Sequence, residues 1–296
     1  MTTDTMATSS VRIQAVSDLM RIPRQYGTLL VMLPTLWSLF LAADGRPSLS
    51  LLLIFIFGSF IMRSAGCVIN DMADRNFDPL VERTKGRPLA SNRMSVRAAL
   101  IVLAALLSIA LGLAFMLNRT AFLLCFPGAL LAMIYPFTKR YIQIPQAVMG
   151  IAFGWGSVIA WAAVRGTVEI QAFLIFFATA LWATAYDTLY ALQDIDDDRK
   201  IGVKSSAIFF GRKVLPVVSL LYVGMVIILA GVGMLSNLGA AYYGGLAAAA
   251  VLLARQISRV KASPDRDTAF AAFKANVTVG FVILLALLAD LLFTVQ

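Results

Sequence analysis

The sequence predicts an all-α protein, a polytopic bundle of about nine transmembrane helices, and its composition supports this prediction. Of the 296 residues, 60% are hydrophobic and only 14% are charged, whereas about 25% of the residues in soluble domains are charged. The mean hydropathy is +0.83. Because a soluble globule cannot bury this much apolar surface, the composition excludes an ordinary cytosolic enzyme and a disordered chain.

Apolar windows long enough to cross a bilayer account for the predicted helices. A crossing needs about 20 mostly apolar residues. Windows that are uncharged or nearly so cover residues 26–43, 49–69, 98–117, 120–138, 141–164, 170–186 and 275–293. The uncharged stretch 214–254 would extend about 61 Å as a helix, enough for two crossings with a turn at 236–239. The total is nine, or eight if one window is re-entrant.

The charges of the loops predict how the bundle is oriented. With strict alternation of sides, 21 of the 25 Lys and Arg residues fall on one side and three on the other, and one lies within a span. Basic loops face the cytoplasm, so we expect the N-terminus inside and a location in the cell inner membrane. The net charge of +9 suits contact with the lipid bilayer better than binding of nucleic acid.

The sequence predicts two regions along the chain. Residues 1–24 are expected to form a cytoplasmic or interfacial segment, either a helix on the membrane surface or a solvated tail. Residues 25–296 are expected to form the transmembrane domain.

The chain has no histidine, which excludes histidine metal sites and Ser-His triads. Its two cysteines have neither the spacing of a metal site nor that of a structural disulfide.

Nine of the 16 acidic residues fall in two clusters, which end the second and sixth predicted spans and so reach the same face of the membrane. The aspartates of interest are Asp71, Asp74 and Asp78 in the first cluster and Asp187, Asp194 and Asp198 in the second. Each set lies on one helical face if its helix continues, and like charges at these spacings repel. A bound cation offsets the repulsion, and carboxylates together with substrate phosphates suit Mg²⁺. We expect Asp196 and Asp197 to be solvated and Asp290 to be interfacial.

Basic residues beside the clusters suggest a diphosphate site. Arg83 and Arg87 follow the first cluster and Lys204 follows the second, and such side chains bind phosphate oxygens. The general excess of cytoplasmic positive charge is the alternative explanation for them. Tyr135 and Lys139, at i and i+4 where the fourth span ends, are expected to point into the same site.

Arg63 stands inside the second predicted span, seven residues before Asn70 and on its face. A charged residue within a span is costly and usually faces the bundle interior. We therefore expect Arg63 to hold an anion near the carboxylates. The alternative is that its side chain extends to the lipid headgroups.

Two motifs carry a family resemblance. The stretch INDMADRNFD, followed by VERTKGRPLAS, resembles the first Asp-rich motif of UbiA-type membrane prenyltransferases. The stretch YDTLYALQDIDDDRKIGVKSSAIFFG resembles the second motif of the 4-hydroxybenzoate polyprenyltransferase branch. The resemblance covers about residues 20–215. It implies a nine-helix bundle with a central cavity open to lipid. It also implies transfer of a polyprenyl group from its diphosphate to 4-hydroxybenzoate in ubiquinone biosynthesis, with Mg²⁺.

The resemblance also implies roles for individual residues. Asn70 and the six motif aspartates match the two Asp-rich motifs, which hold the diphosphate through Mg²⁺. Contacts to the diphosphate are implied for Arg83, Arg87, Lys139 and Lys204, and contact to the aromatic substrate for Arg63. The expected reaction joins the prenyl carbon to the ring carbon ortho to the hydroxyl and releases diphosphate.

Three other functions can be weighed against this one. A family member acting on a menaquinone precursor, haem or a tetrapyrrole would share the first cluster, but the YDTLYALQDIDDD stretch favours 4-hydroxybenzoate. A cation transporter would place acids near the middle of the bilayer, whereas these acids stand at the ends of spans. A structural scaffold leaves both acidic clusters unexplained.

Overall fold

The computed structural model describes residues 12–293, which are mostly helical and contain no strand. The helices of this part of the chain are α1 (12–19), α2 (Tyr26–Ala42), α3 (Leu49–Ala73), α4 (Val96–Ala114), α5 (Arg119–Thr138), α6 (Pro145–Arg165), α7 (Ile170–Ala191), α8 (Ile195–Ile201), α9 (Ser206–Phe210), α10 (Val214–Leu235), α11 (Ala240–Ala262) and α12 (Arg266–Phe293). Short 3₁₀ helices cover Asp78–Leu80 and Gly211–Lys213.

The predicted fold class is confirmed. Within residues 12–293, seven helical segments are long and apolar enough to cross a membrane. Helix α2 is also apolar but is shorter, with 17 residues in all, and α11 carries basic residues in its last turn. Together these segments correspond to the nine predicted crossings, and the turn predicted at 236–239 lies between α10 and α11.

Helix ends are set by local hydrogen bonds. The side chains of Ser48, Ser95 and Asn118 accept hydrogen bonds from backbone N–H groups in the first turns of α3, α4 and α5. Such caps satisfy donors that have no partner within the helix. Helix α6 begins at Pro145 and ends before Gly166, whose φ of 76° favours glycine. These caps fix where the spans start and stop.

Tight aromatic packing joins α2, α7 and α12 at the centre of the bundle. The rings of Trp37 and Trp182 stack with centroids 5.2 Å apart, and Trp37 Nε1 donates to the Gly280 carbonyl at 3.1 Å. A Cβ at Gly280 would lie 2.6 Å from Leu33 and 2.9 Å from Trp182, so this approach requires glycine. By contrast, α4 and α5 are mostly exposed, as expected for helices that face lipid.

The expectation that each aspartate set lies on one continuous helix is wrong. Helix α3 ends at Ala73, Asp74 follows it, and Asp78 begins a 3₁₀ helix. The helix ends six residues before Pro79, and the amides of Phe77 and Asp78 donate to the Asp74 carbonyl in the turn that follows. Helix α7 ends at Ala191, and Asp194 is the N-cap of α8. There the acids of the α8 first turn face the positive end of the helix dipole.

Three further expectations are corrected or refined. Asp290, expected at the interface, is only 2% exposed, and its Oδ2 accepts a hydrogen bond from the Gly239 amide at 2.6 Å. Helix α1 packs on the protein through Ala15 and Leu19, which are buried. Asp196 is exposed, as predicted, whereas Asp197 is half-buried.

Candidate functional site

A cavity of about 1000 Å³ lies at the end of the bundle where α3 and α7 terminate. Twelve of the thirteen predicted site residues line it: Arg63, Asn70, Asp74, Asp78, Arg83, Arg87, Tyr135, Lys139, Asp187, Asp194, Asp198 and Lys204. Asp71 is the exception. The structure therefore brings together both acidic clusters and the basic residues that follow them, although they are far apart in the sequence.

Two ion pairs connect the acidic clusters to other parts of the chain. Arg83 donates from Nε to both carboxylate oxygens of Asp194 at 3.0 Å and from Nη2 to Oδ2 at 2.5 Å. This pair joins the loop after the first cluster to the second cluster. Lys139, at the end of α5, donates to Asp74 at the end of α3. Both cations thus already hold motif carboxylates.

A third set of charges lies beside Asp71. The Asp71 side chain is completely buried, and its Oδ1 accepts a hydrogen bond from Arg21 Nη2 at 2.6 Å. Arg87 Nη1 lies 3.2 Å from the same oxygen and 2.9 Å from Asp78 Oδ2. Asp71 is therefore shared between two arginines, of which Arg87 also binds Asp78.

The carboxylates retain free oxygens that fit a divalent cation. Asp71 Oδ2 and Asp74 Oδ1 are buried and have no hydrogen-bond partner. Among the described residues, the side chains of Asp187 and Asp198 form no hydrogen bond or ion pair with a side chain. Within residues 12–293 no three acidic side chains are already gathered as a metal site, because several of them face arginine or lysine instead. The donors present are hard oxygens, the type that Mg²⁺ prefers.

Burial and neighbouring charge shift the ionisation of groups outside the spans. Burial, reinforced by the negative charge of Asp194, raises the pKa of Asp198 to about 7. Burial alone would lower the pKa of Arg83, but Tyr190 and Asp194 more than offset this and raise it. The pKa of Arg87 is raised in the same way by Asp71 and Asp78. Both arginines therefore remain charged in the cavity.

Arg63 occupies the interior position expected from the sequence. It lines the cavity, and its Nη1 lies 2.7 Å from Cys67 Sγ. Its guanidinium carbon lies 5.9 Å from the centroid of the Phe153 ring. No acidic residue of the described chain pairs with it, and its buried Nε has no hydrogen-bond partner. Arg63 is thus available to an anion in the cavity.

The remainder of the cavity is apolar. Beyond the charged end, its walls come mainly from α3, α4, α5 and α6, including Leu107, Leu111, Phe122, Phe126 and Ala129. These helices carry few charges, and α4 and α5 are little buried in the protein. The cavity therefore combines a charged end with an apolar extension that suits a hydrocarbon chain.

Some site residues were not predicted. Tyr190 accepts a hydrogen bond from Arg83 Nη1 at 2.8 Å, and its ring centroid lies 5.0 Å from the Arg83 guanidinium carbon. Its position inside the second Asp-rich motif is the sequence feature that could have identified it. Gly27 lies against Arg63, and Arg21 reaches Asp71 from the N-terminal segment; no spacing pattern points to either. Lys204, predicted to hold phosphate, donates to the Tyr141 carbonyl at 2.9 Å.

Comparison with known proteins shows which family the sequence matches. The model of the UbiA prenyltransferase family matches residues 31–288. A curated relative from Aeromonas salmonicida (strain A449), named 4-hydroxybenzoate octaprenyltransferase, is 46% identical over 278 residues, covering 94% of this chain and 96% of the relative.

Solved structures show the same fold. An apo UbiA homolog from Aeropyrum pernix K1 is 25% identical, with a TM-score of 0.78 over 88% of this chain and 97% of that chain. A UbiA homolog from Archaeoglobus fulgidus, whose structure was solved bound to GPP and Mg²⁺, is 21% identical, with a TM-score of 0.66 over 91% and 99%.

Proposed function

This chain belongs to the UbiA prenyltransferase family, and we propose that it transfers a polyprenyl group from polyprenyl diphosphate to 4-hydroxybenzoate. The new bond joins the first prenyl carbon to the ring carbon ortho to the hydroxyl. Diphosphate leaves, and the ring loses a proton. The observation that carries the proposal is the cavity in which both acidic clusters meet, with the unpaired Arg63 facing the same space. The relative's name supports this acceptor.

The charged end of the cavity is the proposed diphosphate site. Arg83, Arg87 and Lys139 line it and carry the charge that a leaving diphosphate requires. Asp74, Asp78, Asp194 and Asp198 would hold Mg²⁺, which when bound supplies further positive charge to the leaving group. The Archaeoglobus homolog that binds GPP and Mg²⁺ supports this choice of cation.

The arginines and lysine would exchange partners when substrate binds. In the structure, Arg83 and Lys139 neutralise Asp194 and Asp74. A bound diphosphate offers these cations a second anionic partner, and the released carboxylates become available as ligands. The site thus keeps its charges compensated both before and after substrate binding.

Arg63 is the proposed partner of the benzoate carboxylate. Its buried Nε has no hydrogen-bond partner, and none of the ion pairs among residues 12–293 includes it. Binding the carboxylate there would orient the ring towards the charged end of the cavity. Tyr135 and Phe153 also line the cavity, and their aromatic faces would stabilise an allylic cation that the apolar walls shield from water.

The proton released from the ring needs an acceptor. Asp71 and Asp187 are the candidates among the motif aspartates, and we assign the role to Asp187. Asp187 lines the cavity and is free of hydrogen bonds, whereas Asp71 is completely buried against Arg21. An unpaired carboxylate beside the ring can take the proton as the ring regains its aromaticity.

The location that we propose follows from loop charge. The basic loops would face the cytoplasm, with residues 1–24 on that side and residues 25–296 forming the multi-pass domain in the cell inner membrane. A long prenyl chain is nearly insoluble in water. An apolar cavity bounded by lipid-facing helices suits its entry from the bilayer.

The proposal is tested with membranes that contain the chain. They are incubated with radiolabelled 4-hydroxybenzoate, a polyprenyl diphosphate and Mg²⁺, and lipid-soluble product is measured. We expect a prenylated product that is lost when EDTA is added. Membranes carrying the Asp194→Ala variant are the control. If only a naphthoate, haem or tetrapyrrole acceptor is prenylated, the acceptor assigned here is wrong.

A further inference from the structure

The N-terminal segment forms part of the wall of the charged site, and Arg21 lines the cavity. Leu19, in α1, is completely buried in a small apolar cluster with Ala65, Val68 and Leu89. Arg93 Nη1 donates to Asp18 Oδ2 at 2.8 Å and ties the segment to the loop that precedes α4. The segment is therefore held in place by apolar contacts and by an ion pair.

Arg21 adopts an unusual conformation at the end of this segment. Its φ of 58° is in the left-handed region, which is unfavourable for a residue with a Cβ. Its side chain donates to the Asp18 carbonyl at 2.7 Å and to Asp71 Oδ1 at 2.6 Å. The Arg21 carbonyl also accepts a hydrogen bond from Gln25 at 3.0 Å. Such a conformation persists when surrounding contacts determine it, and it is frequent at functional sites.

Asp71 connects Arg21 to the diphosphate site. It lies completely buried between Arg21 and Arg87, and its Oδ1 is 2.6 Å and 3.2 Å from their nearest nitrogens. With two arginines present, the carboxylate charge is shared. If Arg21 were absent, the whole charge of Asp71 would act on Arg87, because a buried carboxylate is costly without a cation.

We propose that Arg21 is a positioning residue, which neutralises Asp71 and so leaves Arg87 available to the diphosphate. The inference rests on the proposed function, in which Arg87 contacts that group. It assigns the N-terminal segment to the substrate site, although α1 and Arg21 lie outside both acidic clusters. It also makes Asp71 the carboxylate that joins Arg21 to Arg87, and not a residue of the cavity surface.

The inference is tested by binding inorganic pyrophosphate with Mg²⁺ to the purified full chain in detergent, measured by calorimetry. We expect Arg21→Gln to weaken the Kd about tenfold, since Arg87 is drawn towards Asp71. Adding Asp71→Asn to Arg21→Gln should restore the Kd to within about threefold of the unmodified chain, because the uncompensated carboxylate is gone. Arg12→Gln, at an exposed position of α1, should leave the Kd unchanged.

Kinetics provide the second measurement. Arg21→Gln should raise the KM for polyprenyl diphosphate by a similar factor and change the KM for 4-hydroxybenzoate less than twofold. If Arg21→Gln does not fold, Arg21→Lys replaces it and should show about a threefold rise in the diphosphate KM alone. The inference is overturned by an unchanged pyrophosphate Kd, by a double variant as weak as the single one, or by equal rises in both KM values.

These results are separable from the proposed function. A chain that binds pyrophosphate but does not prenylate 4-hydroxybenzoate contradicts the proposed acceptor, and the Arg21 inference is then decided by the calorimetry alone. A chain that prenylates normally, with Arg21→Gln binding pyrophosphate as tightly as the unmodified chain, overturns only the role of Arg21.

Discussion

Arg83 and Asp194, 111 residues apart in the sequence, are joined by three hydrogen bonds, the shortest of which is 2.5 Å. Arg83 also donates to the Tyr190 hydroxyl. This pair closes one side of the cavity by linking the loop after α3 to the turn after α7. It shows that the two acidic clusters line one cavity, and that the arginine proposed to bind phosphate already pairs with a carboxylate.

Removing either member of this pair should nearly abolish turnover. Arg83→Gln removes the positive charge proposed to stabilise the leaving diphosphate, and Asp194→Asn removes a proposed ligand of the cation. We expect each to lower kcat/KM by about 100-fold or more, in line with the loss of one transition-state contact. Asp197→Asn, three residues further on and half-buried, is the control and should change kcat/KM less than about threefold. Equal losses at Asp194 and Asp197 would contradict the assignment.

Cation and diphosphate should bind cooperatively. Either one alone must break the Arg83–Asp194 and Lys139–Asp74 pairs, whereas together they give every charge a new partner. We expect saturating Mg²⁺ to tighten pyrophosphate binding by about tenfold or more, a coupling of ~1.4 kcal/mol. Calorimetry in Mg²⁺ and in EDTA, corrected for formation of the magnesium pyrophosphate complex in buffer, measures this. Identical affinities would rule out partner exchange.

Arg63→Ala should act mainly on the aromatic substrate. A hydrogen bond between charged groups contributes about 2 kcal/mol, so the KM for 4-hydroxybenzoate should rise about 30-fold while the diphosphate KM changes little. An acceptor without a carboxylate, phenol, is the control, because it should be prenylated equally by both forms. A larger rise in the diphosphate KM would reassign Arg63 to the leaving group.

Gly27→Ala should reproduce part of this defect by displacing Arg63. A Cβ at Gly27 would lie 2.7 Å from Arg63 Nε and from Nη2, so the guanidinium must move. We expect a rise of about tenfold in the KM for 4-hydroxybenzoate. Gly112→Ala is the matched control, since a Cβ there meets nothing within 4 Å. A Gly27→Ala enzyme with normal KM would show that the arginine adjusts freely.

We expect a buried polar network to contribute to the stability of the fold and not to catalysis. Asn276 is completely buried, accepts from Trp182 Nε1 at 2.7 Å and donates to Gln256 Oε1 at 3.1 Å. Asn276→Ala leaves Trp182 Nε1 without its acceptor and removes one of the two donors to Gln256 Oε1, so it should lower the free energy of unfolding by about 1–2 kcal/mol. Thermal unfolding in detergent measures this, with the exposed Ser258→Ala as control. An unchanged midpoint would mean that the partners find other bonds.

Several features of the fold and of the site can be predicted from local sequence properties. Apolar windows predict the number of crossings because a bilayer demands about 20 apolar residues for each. The position of Arg63 inside a span predicts that it faces the interior, because exposure to lipid is costly. The acids at the ends of two spans separated by four others predict a common face, because crossings alternate.

Only the tertiary structure decides how the charges are partnered. Spacing within a cluster assumes a continuous helix, but α3 ends at Ala73 inside the first cluster, and in the second cluster α7 ends at Ala191 and a new helix follows the N-cap Asp194. The pairs Arg21–Asp71 and Arg83–Asp194 join residues 50 and 111 positions apart. No periodicity encodes such pairs, because they depend on how whole helices pack against each other. The sequence therefore determines which charges gather at this end of the bundle, and the packing of the helices determines which of them remain free to bind substrate.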